Sequence, residues 1–281
     1  MNLDQPLYWH QGLFLQPQHF QHNDARIEQR ITRTTELVHP YPWGLISLQV
    51  NEAALVAKHC LIDQLSVRFA QGTRAEYPGN AVLESRTLDL SEFSNGRTLY
   101  VGLRRSLPGE ANAQVFEKLA DASRTEARFA VLADAEVVAD RMGNSPEARL
   151  RPMSYVLRLF WEDELEHLSA CELLPIARLE LDGDRARYAA RYTPPCVNLA
   201  ASPVLMQTLR EVRDELAGRA RQLEVYKQPA ESRRGDVDGT HINRLMALAV
   251  LNRYGPLLTH YLETPQLSPW HLYGSLRQLV G

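Results

Sequence analysis

Tyr192-Thr193-Pro194-Pro195-Cys196-Val197-Asn198-Leu199-Ala200-Ala201-Ser202-Pro203 is the stretch on which the fold turns. Two consecutive prolines lack backbone N–H donors and end any strand ladder that reaches them, so a β region closes near Thr193-Pro194-Pro195. Further on, Ser202 stands where it can cap a helix and Pro203 where it can open the first turn. Leu205, Leu209, Val212, Leu216 and Leu223 then recur at spacings of four, three, four and seven, the pattern of a helix-helix seam. Arg219 falls where a strict heptad would want an apolar residue, and the seam is short, which favours a bundle over a long coiled coil. The chain therefore reads as α+β and multidomain, an antiparallel β-sandwich followed by an α-helical bundle.

Upstream of the prolines the chain is a succession of short β-type runs, at 43–50, 54–62, 65–70, 98–104, 127–138, 154–161, 176–181 and 185–192. Leu99, Val101 and Leu103 share one face of a strand by alternation. Ala186, Tyr188, Ala190 and Tyr192 do the same, with Arg185, Arg187 and Arg191 opposite. Asn95-Gly96 and Asp182-Gly183 each fall between two runs and predict hairpins, since both residues of each pair tolerate positive φ. Downstream, Gln228 to Gly239 is polar and rich in breakers and predicts a loop between helices. A helix is expected from Thr240 to Tyr254, with Gly255-Pro256 kinking or dividing it from Leu257 to Leu262. Another begins near Ser268-Pro269 and is still helical in pattern at Val280, as if the chain were cut inside the element.

The amino terminus has its own character. Tyr8-Trp9-His10-Gln11-Gly12-Leu13-Phe14-Leu15-Gln16-Pro17-Gln18-His19-Phe20-Gln21 is an aromatic and aliphatic run that closes on a proline and turns into a polar, amphipathic helix ending near Leu37. Each large apolar side chain in it gains roughly 1.5–3 kcal/mol from burial, so the segment needs a surface to cover. Three regions result: a docking segment and helix at 1–40, a β-sandwich domain at 41–195 and a helical domain at 196–281.

Composition narrows the function. With 281 residues, 44% hydrophobic and 23% charged, the chain is long enough for about two cored domains and far from a disordered composition. A net charge of −3 offers no general attraction to nucleic acid. Cys60, Cys171 and Cys196 form no paired spacing, which argues against a disulfide framework and for a reducing, cytoplasmic setting. No apolar stretch reaches the length of a membrane span, so no direct membrane insertion is expected.

Catalytic templates find little. There is no phosphate loop, nucleophile elbow, H-E-x-x-H pair or Cys-x-x-Cys. His19 and His22, three apart on one helix, could share a metal with Asp24 and His10, and a metal-dependent enzyme built on these four is the alternative function. Asp236-Val237-Asp238-Gly239 lacks the closing glutamate of a calcium loop. Arg104-Arg105 and Arg233-Arg234 read as surface charge, and Glu162-Asp163-Glu164 as a hairpin tip. Tyr188 and Tyr192, placed on an outer strand face, raise a third idea, a carbohydrate-binding sandwich.

Several motifs occur together in order. Trp9 to Gln21 is followed by Tyr41-Pro42-Trp43-Gly44-Leu45, Leu174-Pro175-Ile176-Ala177-Arg178, Tyr192-Thr193-Pro194-Pro195, Leu251-Asn252 and Leu272-Tyr273. In this the chain resembles the TssK family of type VI secretion baseplate components along essentially its whole length. The resemblance implies a non-enzymatic homotrimer, without cofactors, with a β-sandwich shoulder like that of phage receptor-binding proteins, a helical neck and a C-terminal head. It implies docking of the TssF and TssG wedge through the shoulder and N-terminal segment, and of the TssJLM membrane complex through the head. Trp9, Leu13, Phe14, Leu15, Pro17, His19 and Phe20 are then the expected partner-binding residues, and Leu205, Leu209, Val212, Leu216 and Leu223 the trimer interface. Chains of the family continue well beyond the position of Gly281, so the head is expected to be missing here.

Overall fold

The computed structural model describes residues 3–92, 96–183, 185–227 and 239–280, and the chain divides into two compact units, Met1–Ala189 and Ala190–Gly281. The first unit opens with helix α1 (Pro17–Val38), strand β1 (Gly44–Val50) and the short helix α2 (Glu52–Val56). Strands β2 (His59–Cys60), β3 (Ile62–Arg68), β4 (Arg74–Tyr77), β5 (Ala81–Leu83) and β6 (Arg86–Thr87) lead to the long β7 (Arg97–Arg104). Then come β8 (Ala113–Phe116), β9 (Phe129–Leu132), β10 (Glu136–Val138) and β11 (Ala148–Leu150). The unit closes with β12 (Met153–Trp161), β13 (Cys171–Asp182) and β14 (Arg185–Tyr188).

The largest sheet has seven strands in the order β14-β13-β7-β12-β9-β8, with β5 also paired to β12, and a second sheet runs β1-β3-β4. The alternation expected of Leu99, Val101 and Leu103 places them together in the core, whereas that expected from Ala186 to Tyr192 stops at Tyr188, where β14 ends. Leu99, Val101 and Leu103 of β7 are fully buried, and Leu157 of β12 and Leu174 and Ile176 of β13 are buried with them. Leu45, Ile62, Leu65, Val67 and Ala75 are buried in the three-stranded sheet, and Phe69 just after β3.

The sheet is mixed rather than antiparallel throughout: β5 lies parallel to β12 and β8 parallel to β9. Parallel neighbours require a crossover. The one between β8 and β9 is the 3-10 turn Leu119–Arg124, whose Ala122 is buried with Ala130 and Val156. The run at 54–62 is helix α2 followed by a two-residue strand, because Asn51 accepts a cap hydrogen bond from Ala54 N at 3.1 Å. Strand β13 starts at Cys171 and runs through Pro175, and the missing N–H there coincides with a register shift between Pro175 and Ala177.

Asp182-Gly183 turns β13 into β14 as expected, with Asp182 opposite Arg185 and Gly183 at φ +62°. Asn95 lies outside the described residues, and β7 pairs with β12 and β13 rather than with a strand just before it. The acidic turn is not a hairpin tip. It forms the 3-10 turn Glu162–His167 between two strands that flank β7. Glu164 holds Arg86 at 2.5 Å and Asp163 pairs with Arg97, both guanidiniums lying within 6 Å of the Trp161 ring, at 5.9 and 5.2 Å.

The second unit is helical: α3 (Pro203–Glu224), α4 (Gly239–Glu263) and α5 (Pro269–Val280). The stretch before α3 is built into it, since Leu199 N donates to Leu267 O and Ala200 N to Pro265 O, at 3.0 and 2.9 Å. Ser202, 1% exposed, accepts from Leu205 N at 3.3 Å and caps α3. Ser202→Ala should therefore lower the stability of this unit by about 1 kcal/mol, read as a shift of the urea midpoint without a change of slope.

Gly255-Pro256 does not divide α4. Tyr254, Leu258 and Tyr261 are buried on both sides of the proline, so packing carries the helix through it, and Thr259 Oγ1 donates to Gly255 O at 3.0 Å. The residues of the expected seam also have neighbours within the chain. Leu209 is buried against Leu199, Leu258, Tyr261 and Leu272 of its own chain, and Leu205, Val212 and Leu216 pack on the same cluster. Leu223 is half-buried. The stretch 228–238, expected to be a loop, lies outside the described residues, with Arg233-Arg234 and Asp236-Val237-Asp238 in it.

Candidate functional site

The amino-terminal segment is positioned by a few specific contacts. Leu13 N donates to His10 O at 3.3 Å around Gly12, whose φ of +83° suits a residue without a Cβ. Pro17 then occupies the first turn of α1, where its fixed φ is already helical. Gln16 N donates to His19 Nδ1 at 3.1 Å and His19 N to Gln16 O at 3.0 Å, so the histidine closes the helix start as a cap. Asp4 pairs with Arg33, and His22 Nε2 lies 3.5 Å from Gln5 O. Residues 4 and 5 thus lie back along α1.

The apolar side chains of this segment are held outward. Phe14 is 80% exposed, Tyr8 83%, and Trp9, Leu15 and Phe20 about half. Leu13 is half-buried. Trp9 leans on the His19 ring with centroids 6.2 Å apart, and Tyr8 stacks on His10 at 5.5 Å. Helix α1 has no buried residue, and its Ile27, Ile31 and Val38 line a groove of about 560 Å³ with Arg30, Thr35 and His39. Their spacing of four puts Ile27 and Ile31 on one face of an amphipathic helix. That the face is open was not legible, because spacing does not say what covers it.

The metal alternative loses its site. His19 is engaged with Gln16, His10 Nδ1 lies 3.0 Å from Gln11 O, and no group of three or more His, Cys, Asp or Glu able to hold a metal occurs among the described residues. The carbohydrate idea fares no better at Tyr188, which is half-buried with its hydroxyl 3.5 Å from Cys60 Sγ. Burial drives the Tyr188 phenol well above its ordinary range and raises the Cys60 thiol too. Strand β14 ends at Tyr188, so Tyr192 is not part of that face. No helix among the described residues is long and apolar enough to cross a membrane.

The chain is thus a β unit followed by a helical unit, with a segment of outward apolar side chains at its start. Residues 19–281 match the family model for Bacterial Type VI secretion, VC_A0110, EvfL, ImpJ, VasE. The chain belongs to this family, that of the TssK-type baseplate components of type VI secretion. It is 24% identical to the type VI secretion system baseplate component TssK1 of Pseudomonas aeruginosa, over all of this chain and 61% of that protein. A crystal structure of TssK matches 98% of the chain with a TM-score of 0.82 at 21% identity, over 60% of its own length. A chain of the TssK-TssF-TssG baseplate subcomplex solved by cryo-electron microscopy matches all of it, with a TM-score of 0.82 at 23% identity and 87% of its own length covered.

Proposed function

We propose that the chain is a structural adaptor of the type VI secretion baseplate, not an enzyme, acting at the cytoplasmic face of the inner membrane. Residues 41–195 serve as a sandwich-like shoulder, 196–281 as the helical neck, and 1–40 as the segment that docks the TssF and TssG wedge. The observation that carries this reading is the run of outward apolar side chains from Trp9 to Phe20, on a chain whose relatives include a component of a TssK-TssF-TssG subcomplex. Exposed aromatics fixed by a capped helix start lose little entropy on binding and make efficient anchors.

The functional unit in this proposal is a homotrimer. Its interface in this reading is built on Leu205, Val212, Leu216 and Leu223, which keep some exposure in the single chain, whereas Leu209 is buried among residues of its own chain. The link to the TssJLM membrane complex belongs to the portion of the relatives that this chain does not span.

The test is a triple variant, Trp9→Ala, Phe14→Ala and Leu15→Ala. Anchors of this kind are worth about 2 kcal/mol or more each, so co-purification with TssF and TssG should be lost. The melting curve should barely move, as surface changes stay within about 0.5 kcal/mol. Retained co-purification, or a collapse of folding, would refute the segment's docking role.

A further inference from the structure

We propose that the seven-stranded sheet holds, on the face that carries Arg158, a carboxylate-binding pocket fitted to the glutamate side chain of a protein partner. Three strands build it. Arg158 of β12 stands opposite Gly102 of β7, and Gly102 opposite Leu173 of β13, so their side chains share one face, away from the buried Val101, Leu103 and Leu157. A Cβ at Gly102 would come within 2.6 Å of Phe160 Cε2. Glycine there lets the Phe160 ring lie across β7 as an apolar floor. The resulting hollow is about 190 Å³ and is lined by Arg104, Arg158, Phe160, His167 and Cys171, among others.

The charges around it are unevenly satisfied. Arg104 is occupied by Glu110 at 3.0 Å and by Glu126 O at 2.9 Å. Arg158 lies over the Phe160 ring at 5.8 Å, and no carboxylate within ion-pair distance of it is found among the described residues. A guanidinium beside an aromatic floor offers two parallel N–H donors to a planar pair of oxygens and leaves room for a methylene stem. His167 also lines the hollow. The volume suits one side chain and falls below the roughly 300–1,000 Å³ of a small-molecule site. Glu126, which also lines the hollow and lies 3.5 Å from Arg104, repels a phosphate dianion more than a single carboxylate.

Neither arm of the test involves TssF or TssG, so its outcome is independent of the baseplate reading. The full chain, labelled with ¹⁵N, is titrated with end-blocked Ala-Glu-Ala, end-blocked Ala-Gln-Ala and inorganic phosphate while the arginine Nε–H signals are followed. The glutamate peptide should shift the Arg158 signal saturably and the glutamine peptide should not. Arg158→Gln should weaken binding about tenfold or more, the loss of one charge-assisted contact.

The second arm uses Cys171, whose thiol burial raises while Arg158, Arg104 and Arg105 pull it down. A negatively charged methanethiosulfonate should label Cys171 faster than a positively charged one, and Arg158→Gln should shrink that ratio. No saturable shift, equal shifts from the two peptides, or tighter binding of phosphate than of the glutamate peptide would overturn the proposal. So would undiminished binding by the variant, or labelling rates that are equal or reversed.

Discussion

Leu209→Ala will lower the unfolding free energy of the helical unit by about 2–5 kcal/mol, and the loss will be the same at widely different protein concentrations. The side chain is 2% exposed and enclosed by Leu199, Leu258, Tyr261 and Leu272, four residues that come from the segment before α3, from α4 and from α5. Truncation leaves a cavity that three separate elements would have to move to fill. A residue at a seam between copies behaves otherwise, because its contribution scales with association and therefore with concentration. Urea melts of parent and variant at low and high concentration separate the two cases. A difference between parent and variant that grows with concentration would return Leu209 to the interface.

That contrast marks where the sequence stops being informative. The spacing of Leu205, Leu209, Val212, Leu216 and Leu223 states that one helical face seeks apolar company, and it does so whether the company is α4 of the same chain or α3 of another. Elements that rest on local chemistry were legible. Ser202-Pro203 capped α3, Pro17 opened α1, and Asp182-Gly183 closed a hairpin. Elements set by distant partners were not. The parallel seating of β5 on β12 joins residues some seventy apart, as Ala81 does with Tyr155, and no local pattern encodes it.

Proline shows the same division twice. Pro194-Pro195 lie beyond the last strand of the β unit, whereas Pro256 sits inside α4 because buried side chains on both sides of it outweigh the local penalty. At the candidate site the apolar run and the proline that opens the helix could be read. The histidines looked like ligands because spacing on a helix face is all a sequence offers. Their hydrogen bonds to Gln16 and Gln11 appear only with coordinates.

Arg128→Met should cost the β unit about 3–5 kcal/mol, while the double variant Arg128→Met with Glu172→Met should recover most of that loss. Both side chains are more than nine-tenths buried, 8% and 5% exposed, with Arg128 Nη1 3.5 Å from Glu172 Oε1. Arg128 also donates to Arg104 O at 2.5 Å and to Thr73 Oγ1 at 2.8 Å, and lies within 6 Å of the Phe129 and Tyr155 rings, at 5.7 and 5.5 Å. It therefore ties β7, β9, β12 and the turn before β4 to a carboxylate on β13. Removing the guanidinium alone strands that carboxylate away from water, and the cost comes from the uncompensated charge more than from the lost attraction. Removing both replaces an ion pair by apolar volume that the surrounding core accepts. Chemical denaturation of the two variants decides between this account and one in which Arg128 acts through its aromatic and backbone contacts. In the second case the double variant would be no more stable than the single.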